Sequence, residues 1–163
     1  MAGTVVQDSL VVTTNESITL NGQSYGNNMT DTITGQGKII QTITTIASKG
    51  ESESGNTYTD IVSLGASDGA GAIKVSELKY LRITNTDDAE DLVLRLQDGS
   101  DHFMFVKVKA GKSFVLQNFE FDIRTNDGDP TFVTMDTIKG YSDSTSAGLD
   151  IELLAVRSGG IAG

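Results

Sequence analysis

Among the residues that could do chemistry, His102 is the only histidine in the chain. Zinc and copper sites draw on several imidazoles or on thiolates, and the chain has no cysteine to assist one ring. A Ser-His-Asp relay would need a serine within reach of His102, and no nucleophile-elbow motif is expected. The plainer expectation is a histidine at a strand edge beside Asp101. Carboxylates cluster in two places. Thr86-Asp87-Asp88-Ala89-Glu90-Asp91 is one, and Asn126-Asp127-Gly128-Asp129 is the other. Calcium takes six to eight oxygens, and neither stretch matches the twelve-residue loop that ends on a glutamate. Both therefore read as solvated turns. Two acids from distant strands could meet for glycoside hydrolysis, but a sugar site also wants aromatic platforms and the chain has no tryptophan.

The remaining candidates are equally spare. The glycines of 65–71 (GASDGAG) and Gly159-Gly160 lack the lysine and the following helix of a phosphate cradle. Lys107, Lys109 and Lys112 form the one local basic group; it could meet an acidic partner, but protection of a strand edge is the better reading. Asn15-Glu16-Ser17 and Asn28-Met29-Thr30 match the glycosylation pattern by chance, since MAGTVVQDSL has no secretory signal. The inventory thus nominates no catalytic residue, no metal ligand and no cofactor site, and a protein that is not an enzyme is expected.

Composition indicates what must position these residues. The 163 residues suffice for one domain, and a chain of about that length buries roughly 68–70% of its unfolded surface. Apolar residues are 37% of the total, which predicts a thin core or one completed by another chain. Nineteen threonines and 18 glycines stand beside a single proline, Pro130. β-Branched threonine suits half-exposed strands and glycine supplies turns, so the composition is all-β. The net charge of −10 repels phosphate backbones and anionic headgroups, which argues against nucleic acid or membrane partners. No apolar run nears the roughly 18 residues of a membrane helix, so a soluble protein made in a cytoplasm is expected.

Period-2 alternation marks the strands. KIIQTITTIA (38–47) is β-branched and half apolar on both faces, and so is expected to meet protein on each side. TYTDIVSL (57–64) follows a polar loop over 48–56. In LKYLRITN (78–85), Leu81 and Ile83 alternate with Arg82 and Thr84; DLVLRLQ (91–97) places Leu92, Leu94 and Leu96 on one face. HFMFVKVK (102–109) sets Met104, Val106 and Val108 against Phe103, Phe105 and Lys107. SFVLQ (113–117), FEFDIR (119–124), TFVTMDTIK (131–139) and LDIELLAVR (149–157) complete the set. Asp98-Gly99 and Ala110-Gly111-Lys112 read as hairpin turns, and Asn126 to Pro130 as a further connection. Such spacing predicts an antiparallel β-sandwich, jelly-roll-like, over 36–157. Residues 1–35 are expected to be an extended arm or an added strand, because Asn21–Asn28 is too rich in Gly and Asn for a strand interior. Residues 158–163 read as a flexible tail.

One stretch, LKYLRITNTDDAEDLVLRLQDGSDHFMFVKVKAGKSFVLQN (78–118), resembles small virion proteins of tailed bacteriophages, especially marine and cyanobacterial ones. There, a strand ending I-T-N-T-D is followed by an apolar strand, and a hairpin then leads into V-K-V-K-A-G-K-S-F-V-L. The resemblance covers about a quarter of the chain and transfers no functional residues. It implies a β-sandwich in the virion, made in the host cytoplasm: a capsid decoration (cement) protein that binds and stabilises the major capsid protein shell, as a homo-oligomer with a trimer favoured. A tail, neck or fibre-knob component is the alternative within that class. A carbohydrate- or calcium-binding β-sandwich module is the alternative outside it.

Overall fold

The computed structural model describes residues 9–34, 36–49, 58–65, 72–74, 77–99, 102–117 and 135–158. The expected strand FEFDIR, the connection at 126–130, the first half of TFVTMDTIK, the loops at 50–57 and 66–71, and the tail beyond residue 158 lie outside the described residues. The described residues hold thirteen strands: β1 (Leu10–Asn15), β2 (Ile18–Leu20), β3 (Gln23–Tyr25), β4 (Asn28–Ile33), β5 (Gln36–Ile46), β6 (Thr59–Gly65), β7 (Ala72–Lys74), β8 (Leu78–Asn85), β9 (Leu92–Asp98), β10 (Phe103–Val108), β11 (Ser113–Gln117), β12 (Met135–Ser142) and β13 (Leu149–Ser158).

Two sheets build the body. One has the order β11-β8-β13-β5, the other β10-β9-β12-β6-β7. Every contact between neighbours is antiparallel except the short parallel pairing of β7 with β6. Leaving β7 aside, each connection among the eight long strands crosses from one sheet to the other, save the β9–β10 hairpin. That winding is the double Greek key of a jelly roll. The all-β sandwich expected from strand spacing is therefore the fold.

Alternation places the core between the sheets. Leu81, Ile83, Ile151, Leu153 and Ala155 line the inner face of the four-stranded sheet, and Leu92, Leu94, Leu96, Met135 and Ile138 face them. Each of these is at most 5% exposed. A leucine so enclosed contributes about 1.5–3 kcal/mol of transfer free energy, so β9 alone anchors much of the sandwich. Asn85 is fully buried among them and is satisfied by its own β8–β9 connection: its side-chain amide donates to the Glu90 carbonyl at 2.8 Å, and its side-chain oxygen accepts from the Asp87 N–H at 3.1 Å.

Two expectations are corrected by topology. Ala110-Gly111-Lys112 does not close a hairpin, because β10 pairs with β9 while β11 pairs with β8 in the other sheet. The segment is an arch between layers. Gly111 takes φ +65°, its N–H donates to the Asp87 carbonyl, and the Lys112 carbonyl accepts from the Asn85 N–H. Strand β5, expected to meet protein on both faces, is an edge strand, paired among the described residues with β13 alone. Its inner face carries Ile40 and the buried Ile46, while Ile39 and Ile43 on the other face are 55% and 76% exposed.

Residues 10–33 form neither a single extended arm nor a strand added to a body sheet. They fold into a double hairpin: β1 pairs with β4 from Leu10↔Ile33 to Asn15↔Asn28, and β2 pairs with β3 beyond it. The Glu16 N–H donates to the Asn27 carbonyl and joins the two halves. Asn21 (φ +52°) and Gly22 (φ +77°) make the turn, the left-handed pair that an Asn-Gly dipeptide adopts between twisted strands. Thus the Gly- and Asn-rich stretch is a turn plus strand β3.

Candidate functional site

His102, Asp87, Asp91, Lys107 and Lys109 come out as structural fittings, while the acidic cluster at 126–129 lies outside the described residues. His102 pairs with Asp98, and its neighbour Asp101 lies outside the described residues. Asp98 is 4% exposed; its Oδ2 meets the His102 Nδ1 at 2.9 Å, and its Oδ1 accepts the His102 backbone N–H at 2.9 Å. The Asp98 N–H in turn donates to the His102 carbonyl, so the pair closes the β9–β10 turn. No serine hydroxyl is bonded to that ring among the described residues.

The acidic run after β8 is equally committed. The Asp87 carboxylate accepts the N–H groups of Glu90 and Ala89, both at 2.8 Å, and these bonds hold its carboxyl below the usual carboxylate range. Asp91 accepts from Lys109 Nζ at 2.7 Å and is lowered chiefly by that bond. Lys107 donates to Asp143, which raises its ammonium above the ordinary value. Two of the three lysines singled out from sequence therefore staple β10 to neighbouring connections. Among the described residues, no group of three His, Asp or Glu side chains is placed to hold a metal ion. No helix there is long and apolar enough to cross a membrane.

Gly65-Ala66-Ser67-Asp68-Gly69 spells glycine-x-serine-x-glycine, the letters of a nucleophile elbow. That device needs a helix immediately after the serine. Residues 66–71, the serine included, lie outside the described residues.

What the structure assembles instead is surface. On the outer face of the five-stranded sheet, register sets Phe103 beside Gln97, Phe105 beside Arg95 and Lys107 beside Val93, with Lys139 and Tyr141 on the far side of β9. The Arg95 guanidinium lies 4.3 Å from the Phe103 ring centroid and 5.2 Å from that of Tyr58. Phe103 meets Phe105 edge-on at 5.4 Å, and Tyr58 meets Tyr141 edge-on at 5.5 Å. Burial raises the Tyr141 hydroxyl above its ordinary range. Phe103 and Phe105 remain 47% and 49% exposed on an edge strand. Lys139 has Asp60 at 3.2 Å and Lys107 has Asp143, whereas Arg95 has no carboxylate partner among the described residues, and its Nε is enclosed without an acceptor.

The outer face of the other sheet is different. Gln41, Arg82 and Glu152 share bonds at 2.8 and 3.3 Å, Thr45 donates to Asp150, and Thr84 bonds Ser113. At one end of this face the double hairpin is rooted: Ile33 packs with Tyr80 and Val156, flanked by Leu10, Val12 and Leu154, and Gln117 of β11 donates to Asp31. Beyond that root the ribbon is bare. Ile18, Leu20 and Met29 are 58%, 60% and 64% exposed.

Sequence reasoning placed Phe103 and Phe105 on one face of a strand but missed Arg95, Tyr58 and Tyr141 as their neighbours. The signal available was limited to the aromatic pair at i and i+2. No family model, no curated protein and no solved structure matches the chain.

Proposed function

We propose that this chain is a structural protein of a tailed-phage virion, specifically a capsid decoration protein that binds and stabilises a shell of major capsid protein as a homo-oligomer. One observation carries the reading. A jelly roll commits His102, the Asp87 and Asp91 carboxylates and two of its lysines to closing turns, yet leaves apolar side chains uncovered on a projecting ribbon and on an edge strand. Jelly rolls recur in shell-forming proteins, and uncovered apolar surface marks a site of association. The resemblance of 78–118 to phage virion proteins points the same way. The work of such a protein is done by contact area rather than by a reactive group.

The test is binding to undecorated shells assembled from a tailed phage's major capsid protein. Saturable attachment in many copies across the shell, with a raised shell disruption temperature, is the expected result, since a ligand of the assembled state stabilises it. Attachment in a few copies at one vertex would replace decoration by the tail or neck reading. Absence from shells and particles alike would sink the virion reading.

A further inference from the structure

The ribbon and the Arg95 face have complementary deficits. Residues 9–34 contain Glu16 and Asp31 and no Lys, Arg or His. The face contains an arginine without a carboxylate among the described residues, set between aromatic rings and flanked by two exposed phenylalanines. Ile18 and Leu20, two apart on β2, point to the same side of the ribbon, and both are more than half exposed. An isolated two-stranded hairpin is marginal in water, so a ribbon so little covered calls for a surface to lie on. Its root lies on the outer face of the four-stranded sheet, whereas Arg95 opens on the outer face of the five-stranded sheet.

We infer that the ribbon of one copy docks on the β9–β10 face of a second copy, with Ile18 and Leu20 against Phe103 and Phe105 and the Glu16 carboxylate on the Arg95 guanidinium. The contact joins two different patches, so it runs head to tail and closes into a ring when the rotation permits. Among the described residues β10 is an edge strand with one backbone side unpaired, so the incoming ribbon can add main-chain bonds to the side-chain contacts. Arginine suits the role because its planar fork binds a carboxylate through two bonds and stacks on rings at once. The inference does not rest on the virion reading; failure to bind shells, with self-association intact, would leave it standing.

The absence of native cysteine allows a direct test on the full chain. Copies bearing Ile18→Cys are mixed with differently tagged copies bearing Phe103→Cys and oxidised. Disulfide-linked heterodimers are expected, along with an oligomeric mass by light scattering for the unmodified protein. Leu20→Asp and Phe105→Asp should each reduce that mass to a single chain while the melting temperature of the body stays in place, because both residues are exposed. Glu16→Arg and Arg95→Glu should each dissociate the assembly, and mixing the two variants should restore a mixed contact. A protein that is monomeric at every concentration, an oligomer indifferent to all four substitutions, or the absence of disulfide-linked heterodimers from the oxidised mixture would each overturn the inference.

Discussion

The ribbon and the jelly-roll body are built from the same kind of strand, yet they hold together differently. In the body, β8, β9 and β13 bury every second residue against the opposite sheet, and Leu81, Ile83, Leu92, Leu94 and Ile151 are all fully enclosed. In the ribbon, β1 and β4 pair over six residues as regularly as body strands do, but only Ile33 is buried. Ladder hydrogen bonds alone contribute little net stability, since water competes for the same groups. The comparison shows that pairing sets the shape of both regions, while a second layer stabilises only one of them.

The largest test of that contrast is a pair of truncations. Leu94→Ala, at a fully buried site, should cost about 2–5 kcal/mol in urea unfolding. Leu20→Ala, at a site 60% exposed, should stay within about 0.5 kcal/mol in the dispersed single chain. Equal losses at the two sites would break the comparison, because the ribbon would then be packed as a core element.

A smaller effect is expected at the ribbon turn. Gly22 sits at φ +77°, where a β-branched side chain costs about 1–2 kcal/mol of backbone strain. Gly22→Val should speed amide exchange across 10–33 while the unfolding midpoint of the body is unmoved. A matching shift in the body midpoint would mean that the two regions unfold as one unit.

The smallest effect concerns pH and belongs to the body. Asp87 titrates below its ordinary 3.8 because its carboxylate accepts the Glu90 and Ala89 N–H groups. A depressed folded-state value adds stability that is complete above the unfolded-state value and is lost as pH falls through the folded one. The urea midpoint should therefore fall as pH is lowered below about 4. Asp87→Asn should flatten that part of the profile and leave amide exchange in the ribbon unaffected. An unchanged profile would show that the β8–β9 turn does not couple to global unfolding.

How much of this was legible in advance depends on the range of the interaction. β8 was bounded from its alternation, with Leu81 and Ile83 inward and Arg82 and Thr84 outward, as observed. The inward leucines of β9 were equally plain. The Asn21-Gly22 turn carried a readable signal, yet the polar residues around it concealed strand β3. Pairing of His102 with Asp98 is set by how the β9–β10 turn closes, and alternation along a strand does not encode it. The candidate face was the least legible part. Arg95, Phe103, Tyr58 and Tyr141 come from separate stretches, and only the order β10-β9-β12-β6 makes them neighbours.

The sequence by itself determined that this chain is all-β, which side of each central strand turns inward, and how few reactive groups it has to deploy. These follow from residue type and a period of two, which act over a few residues. Only the tertiary structure decided that the turn at 110–112 crosses between layers, that β5 is an edge, that residues 10–33 double back into a ribbon, and that Arg95 is set among aromatic rings. Each depends on which strands become neighbours, and that choice is made by burying both sheets' apolar faces at once.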